Sequence, residues 1–195
     1  MEIDHLFNTL KWRSMKHLSF LMAACILMAC QSSPGTNTKG DRVHLVVNSS
    51  TIQNSSWEKI SLPMIWWIDI HGDEVLYQNK AMEFTREQII SYAAHNYLDD
   101  VVKEGHQWFF LNTAGTIRND VLDGLKAVGL QKHADVYQRA LLKFEETKDY
   151  EADFTEEDTG IILLRENEDA DGVFRNYAKA NSRSFFFDQW VKQPD

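Results

Sequence analysis

Between Thr85 and Phe144 the apolar side chains recur at the roughly three-to-four-residue spacing of amphipathic helices, and that period commits the middle of the chain to α structure. Ile89, Ile90, Ala93, Tyr97, Val101 and Val102 mark one face of a first helix. Thr85 and Gln88 stand in front of it at capping-box spacing, where each side chain can satisfy a backbone N–H that the helix leaves open. The pattern predicts a helix from Arg86 to Glu104, ending at Gly105 as the residue after the cap. Val121, Leu122, Leu125 and Val128 predict a second helix, stopped by Gly129 in the same role. Ala134, Tyr137, Ala140, Leu141 and Phe144 predict a third. Two or three shorter helices are expected near the C-terminus, carrying Phe174, Tyr177 and Ala178, then Phe185, Phe186 and Trp190.

Strand signals are few and lie at the front. Val43 to Val47 reads as a short strand or extended lead-in. Ile65 to Ile70 and Glu74 to Tyr77 flank His71, Gly72 and Asp73, a connection with turn chemistry, so a small hairpin is expected there. The fold expected is therefore mainly α: one helical domain over residues 43–195 with a small N-terminal β-hairpin.

Composition removes several function classes. The chain has 20 Lys and Arg against 29 Asp and Glu, a formal charge of −9, which makes it a poor non-specific ligand for nucleic acid or anionic lipid. Two cysteines in 195 residues exclude a disulfide scaffold and a four-thiolate zinc site. The acids are concentrated: from Glu145 to Asp171 there are twelve against Lys148 and Arg165.

Residues 18–29 (LSFLMAACILMA) form the only strongly apolar run, too short to span a bilayer, which takes about 20 residues, but suited to a secretory signal. Lys11, Arg13 and Lys16 supply its basic side. The run closes on Leu27, Met28, Ala29 and Cys30, which resembles the lipobox of bacterial lipoproteins, with Cys30 as the lipidated residue and Cys25 as the weaker candidate. Residues 1–29 are then a signal peptide, of which 1–14 precede a second start at Met15, and residues 30–42 hold the lipidated cysteine and a polar tether (QSSPGTNTKGD). A buried apolar helix is the alternative reading of this run. Gln31 after the cysteine, by resemblance to enterobacterial sorting, implies an outer-membrane anchor facing the periplasm.

Chemistry-bearing motifs are sparse. His95 and Asp99 are four apart on one helix face, with His106 nearby, yet HExxH and other paired ligand spacings are absent, so a hydrogen bond between His95 and Asp99 is expected rather than a metal site. There is no GxSxG and no Gly-rich phosphate loop opening a helix. No catalytic residue, cofactor or metal is assigned, and a hydrolase built on the abundant carboxylates is only a residual alternative. Trp108, Phe109 and Phe110 read as core rather than as a stacking platform, which would need basic neighbours.

The segments YLDDVVKEGHQWFFLNTAG (97–115) and VLDGLKAVGLQKHADVYQRALLKF (121–144) resemble the bacterial DNA-mimic protein family, whose hallmark is roughly E-V-x-N-G-G-[FH]-x-Q-F-F-x-N-S-x-G followed by a helix reading A-L-x-x-I-G. Asp100 stands for the Glu, while Val101, Gly105, His106, Phe109, Phe110, Asn112 and Gly115 match; Leu125, Val128 and Gly129 follow. Lys103, Glu104, Trp108 and Thr113 depart from it. The resemblance implies a mainly helical, non-catalytic fold. It also implies protein binding, the best-known case being a dimer whose acidic surface imitates duplex DNA on a transcription factor. Some relatives are suspected partners in interbacterial toxin systems.

The expected function is thus a lipid-anchored, acidic protein-binding module whose partner has a basic surface. Its face would comprise Glu145, Glu146, Asp149, Glu151, Asp153, Glu156, Glu157 and Asp158, with no direct contact to nucleic acid and with a homodimer allowed. A cytoplasmic DNA mimic and an immunity-type inhibitor of a basic toxin are the alternatives. B-DNA carries one charge per ~1.7 Å of axis, whereas ten net charges along one continuous 145–171 helix of about 40 Å give one per ~4 Å. Mimicry therefore needs other carboxylates, such as Asp99, Asp100, Asp120 and Asp123, gathered onto the same surface.

Overall fold

The computed structural model describes residues 38–39, 42–113, 117–147 and 152–193. The expected signal peptide, Cys25, Cys30, most of the tether, Gly115, Asp149 and Glu151 lie outside the described residues.

The architecture is mainly helical, with a small antiparallel sheet. In chain order it comprises β1 (Thr38–Lys39), β2 (Arg42–Val47), α1 (Ser49–Asn54), α2 (Trp57–Trp67), α3 (Glu74–Ala81), α4 (Arg86–Asn112), α5 (Ile117–Ala127), α6 (Gln131–Thr147), α7 (Thr155–Asn167), α8 (Ala170–Ala180), a 3₁₀ turn (Ser182–Phe185) and β3 (Phe187–Lys192).

α4 is the spine, and its apolar stripe explains why: Ile89, Ala93, Ala94, Tyr97, Leu98 and Val101 are all buried in the core. The capping box is formed, the Thr85 hydroxyl accepting from the Gln88 N–H at 3.3 Å and the Gln88 side-chain oxygen from the Thr85 N–H at 2.9 Å. α5 lies against α4 so closely that a Cβ at Gly124 would stand 1.9 Å from the Ile90 carbonyl oxygen. α5 ends as its sequence predicts: Gly129 has φ +90°, Leu130 N–H reaches the Leu125 carbonyl at 2.8 Å and Gly129 N–H the Lys126 carbonyl at 3.2 Å, a Schellman closure. α6 and α7 complete the packing around the C-terminal half of α4, and α8 packs on α2.

The β element at the front is present, but its partner comes from the other end of the chain. β2 pairs antiparallel with β3, Arg42 opposite Lys192 and Val47 opposite Phe187, and the sheet order is β1-β2-β3. Val43, Leu45, Val47, Phe187 and Val191 face the core. The segment around Trp190 is thus strand rather than helix.

The expected 65–77 hairpin is not formed. Residues 65–67 of its first arm belong to α2, because Trp57, Ile60 and Met64 make a helical stripe that outweighs the β-like run IWWIDI, and α2 ends there with Ile68 as its C-cap. Asp73 does not turn a hairpin; its carboxylate caps α3, accepting from Val75 N–H at 2.8 Å and Leu76 N–H at 3.2 Å. Nor is the acidic stretch one helix, since α6 ends at Thr147 and α7 starts at Thr155.

Candidate functional site

The motif residues converge on a break inside α4. Gly105 has φ 85° and ψ 168°, a conformation essentially restricted to glycine, and the helix resumes directly after it. The break frees the His106 backbone N–H, which donates to Asp158 Oδ1 at 2.9 Å from the first turn of α7. The carboxylate thereby caps the resumed helix from outside.

The His106 ring, fully buried, donates from Nδ1 to the same Asp158 oxygen at 2.5 Å. Its Nε2 lies 2.8 Å from the Tyr97 hydroxyl, so both ring nitrogens are hydrogen-bonded. Burial works against the charged form of Asp158, yet the bonds from the His106 ring and backbone more than offset it and hold the carboxyl below its usual range. Burial pushes the Tyr97 hydroxyl well up, so it keeps its proton. The three groups resemble a catalytic relay in order only: His106 and Tyr97 are sealed from solvent, between the Phe110 and Phe154 rings at 5.9 Å from the imidazole.

Phe109 and Phe110 are core residues. Phe110 stacks on Phe144 at 4.9 Å and Phe109 meets Tyr97 edge-on at 5.2 Å. Val101 is buried beside them, while Asn112 is exposed and donates to the Trp108 carbonyl at 2.8 Å, closing the end of α4. Trp108 is half-buried against His71, whose Nε2 lies 3.5 Å from Asp100. Burial pushes the Asp100 carboxyl up, partly countered by His71. The motif therefore builds an interior latch between α4 and α7.

The acidic face is smaller than the sequence suggests. Glu145 and Glu146 in the last turn of α6, and Asp153 and Glu156 at the start of α7, are exposed. Asp153 also accepts from the Thr155 hydroxyl and N–H just ahead of α7, and these bonds hold its carboxyl low. Glu157 is not on the face: it is buried and paired with Lys143 Nζ at 2.7 Å, since α7 packs that side onto α6. Asp158 is withdrawn likewise, turned inward onto His106.

The further carboxylates that mimicry would need are also engaged. Arg86 bridges Asp120 and Asp123, and Tyr77 donates to Asp120 at 2.7 Å. Arg165 holds Asp99 at 3.0 Å and stands 3.7 Å from Asp171. His95 lies 3.6 Å from Asp99, beyond hydrogen-bond reach, and closer to Asp171, at 3.3 Å; burial nonetheless pulls its ring below the ordinary histidine range. Sequence reasoning missed Lys143, Arg86 and Arg165 as partners, because each reaches its carboxylate from another helix, and it missed Tyr97, which meets His106 on α4 itself across the break at Gly105. Among the described residues no group of three or more His, Cys, Asp or Glu side chains could hold a metal ion.

A mainly helical fold with a buried Tyr97–His106–Asp158 latch is what the described residues define, and the family comparison gives that class a definite form. The family model described as DMP19-like protein matches residues 82–191, from the end of α3 into β3. The chain belongs to that family, the DNA-mimic family that the 97–144 segment resembles. No curated protein and no solved structure matches the chain.

Proposed function

We propose that the protein is a non-catalytic, protein-binding module of the DMP19-like family, lipid-anchored at the cell envelope through Cys30, whose partner presents a basic surface to Glu145, Glu146, Asp153 and Glu156. Family membership over residues 82–191 carries the reading. The exposure of those four carboxylates supports the choice of face. Imitation of duplex DNA in the cytoplasm is the weaker reading, because Asp99, Asp120, Asp123, Glu157 and Asp158 are already held by Arg165, Arg86, Lys143 and His106. An envelope anchor also leaves a partner such as a basic toxin domain within reach.

Two measurements test it. Cells grown with radiolabelled palmitate should label the wild-type chain and not Cys30→Ala; an unlabelled, cytosolic wild type overturns the anchor. A partner crosslinked to the wild type in intact cells should associate at least about tenfold more slowly at low salt with the variant Glu145→Gln, Glu146→Gln, Asp153→Asn, Glu156→Gln. Equal rates for both proteins would remove this face from the interaction.

A further inference from the structure

One open groove runs against the charge of the molecule. It has a volume of about 390 Å³ and is lined by Arg42, Trp66, Trp67, Lys80, Trp190 and Lys192. Three cations and three tryptophans thus surround one concavity on a chain of net charge −9. Five of these six residues lie outside the stretch matched by the family model, so the groove belongs largely to the part of the chain that precedes residue 82.

The placement of the charges asks for an anion. Arg42 and Lys192 are direct cross-strand partners in the β2–β3 ladder, an arrangement that is destabilising for like charges unless something neutralises them. Among the described residues neither has an ion-pair partner, and Lys80 bridges only the exposed Glu83, at 3.3 Å. A phosphate between them would accept from the guanidinium fork and from an ammonium at once.

The rings are held ready for a flat group. Trp190 stacks on His44 at 4.9 Å with 15° between the planes, and that imidazole is itself fixed by Asp188 at 2.6 Å. Lys80 sits over the Trp67 ring, 5.2 Å from its centroid. Aromatic faces beside a basic lining are the recurrent means of holding a nucleobase. The volume falls within the ~300–1,000 Å³ of small-ligand sites.

We propose that this groove is a binding site for a small phosphorylated ligand with an aromatic ring, the mononucleotide class, its phosphate on Arg42 and Lys192 and its ring against the tryptophans. The site is independent of the acidic face, and its failure leaves the protein-binding reading untouched.

The test is a titration of the full-length chain with adenosine 5′-monophosphate, followed by tryptophan fluorescence and by calorimetry. Saturable quenching is expected, at least about tenfold weaker for adenosine, which lacks the anion, and for ribose 5-phosphate, which lacks the ring, and weakened by salt. Arg42→Gln with Lys192→Gln should lower affinity at least about tenfold, and Trp190→Leu should remove most of the quench. All three positions are exposed, and unchanged far-ultraviolet circular dichroism shows that the variants are folded. No saturable signal at millimolar ligand overturns the proposal, as does equal binding of adenosine or ribose 5-phosphate, or wild-type affinity in the Arg42/Lys192 variant.

Discussion

Replacing Gly105 by alanine separates the latch at His106 from an ordinary helix end. At φ 85° and ψ 168° an alanine is strained by about 1–3 kcal/mol on backbone grounds alone. Its Cβ would also stand 2.9 Å from Asp158 Oδ2, so the carboxylate has to withdraw. That carboxylate holds both the ring and the backbone N–H of His106, and losing a hydrogen bond to a charged group costs about 1.5–3 kcal/mol. The expected loss is about 2.5–6 kcal/mol, summed from these two contributions.

Gly129→Ala is the control. Its φ is +90° but nothing lies within 4 Å of the added methyl, so only the backbone contribution of about 1–2 kcal/mol applies. Urea unfolding of both variants, with matched slopes, measures the difference. A second comparison isolates the contact: in an Asp158→Ala background, where no carboxylate blocks the methyl, Gly105→Ala should lose only its backbone share. A Gly105→Ala protein no less stable than Gly129→Ala, or full additivity with Asp158→Ala, would refute the latch.

Two other outcomes follow from the same packing. Gly124→Ala should lower the urea midpoint by the equivalent of about 3 kcal/mol or more, since the α4–α5 contact must open to admit a methyl 1.9 Å from the Ile90 carbonyl oxygen; an unchanged midpoint would mean the helices are not in that contact. The Asp158 carboxyl titrates lower in the folded state than in the unfolded chain, where about 3.9 is usual, so its contribution is complete above that value and is lost as the pH falls through the folded one. The stability gap between wild type and Asp158→Asn should therefore be wide at pH 6, begin to close only below about pH 4 and keep shrinking as the pH falls through the folded value. A gap constant from pH 6 to pH 2 would contradict the assignment.

What could be read in the sequence was local. The capping box at Thr85, the stripe from Ile89 to Val101 and the stop at Gly129 lie within one or two helical turns of the residues that satisfy them, and each forms as its spacing predicts. β3 could not be read in this way, because its partner β2 lies at the far end of the domain and local apolar spacing around Phe185 and Trp190 suits a helix equally well. At residues 65–70 the aromatic and β-branched run pointed to a strand, while the stripe that decides the matter begins earlier, at Trp57. The site was obscured for a related reason. A run of acids looks uniform in sequence, and only the fold brings Lys143 to Glu157 and His106 to Asp158.

That last point bears on how an acidic family member finds a partner. A carboxylate paired with a cation at 2.5–3 Å contributes a short-range dipole, and beyond a Debye length of about 8 Å at physiological salt little of its field remains. Arg86, Arg165 and Lys143 each remove at least one carboxylate from the surface potential in this way. At the α6–α7 junction Glu145, Glu146, Asp153 and Glu156 have no ion-pair partner among the described residues, and on the proposed reading they steer a basic partner. α6 and α7, which carry three of them, also leave Leu142 and Leu163 about half exposed, at 51% and 53%. A face of a few acids with apolar side chains on the same helices suits a protein interface, where charge sets orientation and encounter rate and desolvated apolar groups hold the complex. A duplex imitation would instead need charge at near-DNA density and few apolar groups. On the proposed reading, salt should therefore slow association more than it speeds dissociation, and Leu142→Ser with Leu163→Ser should speed dissociation while leaving the salt slope of association unchanged.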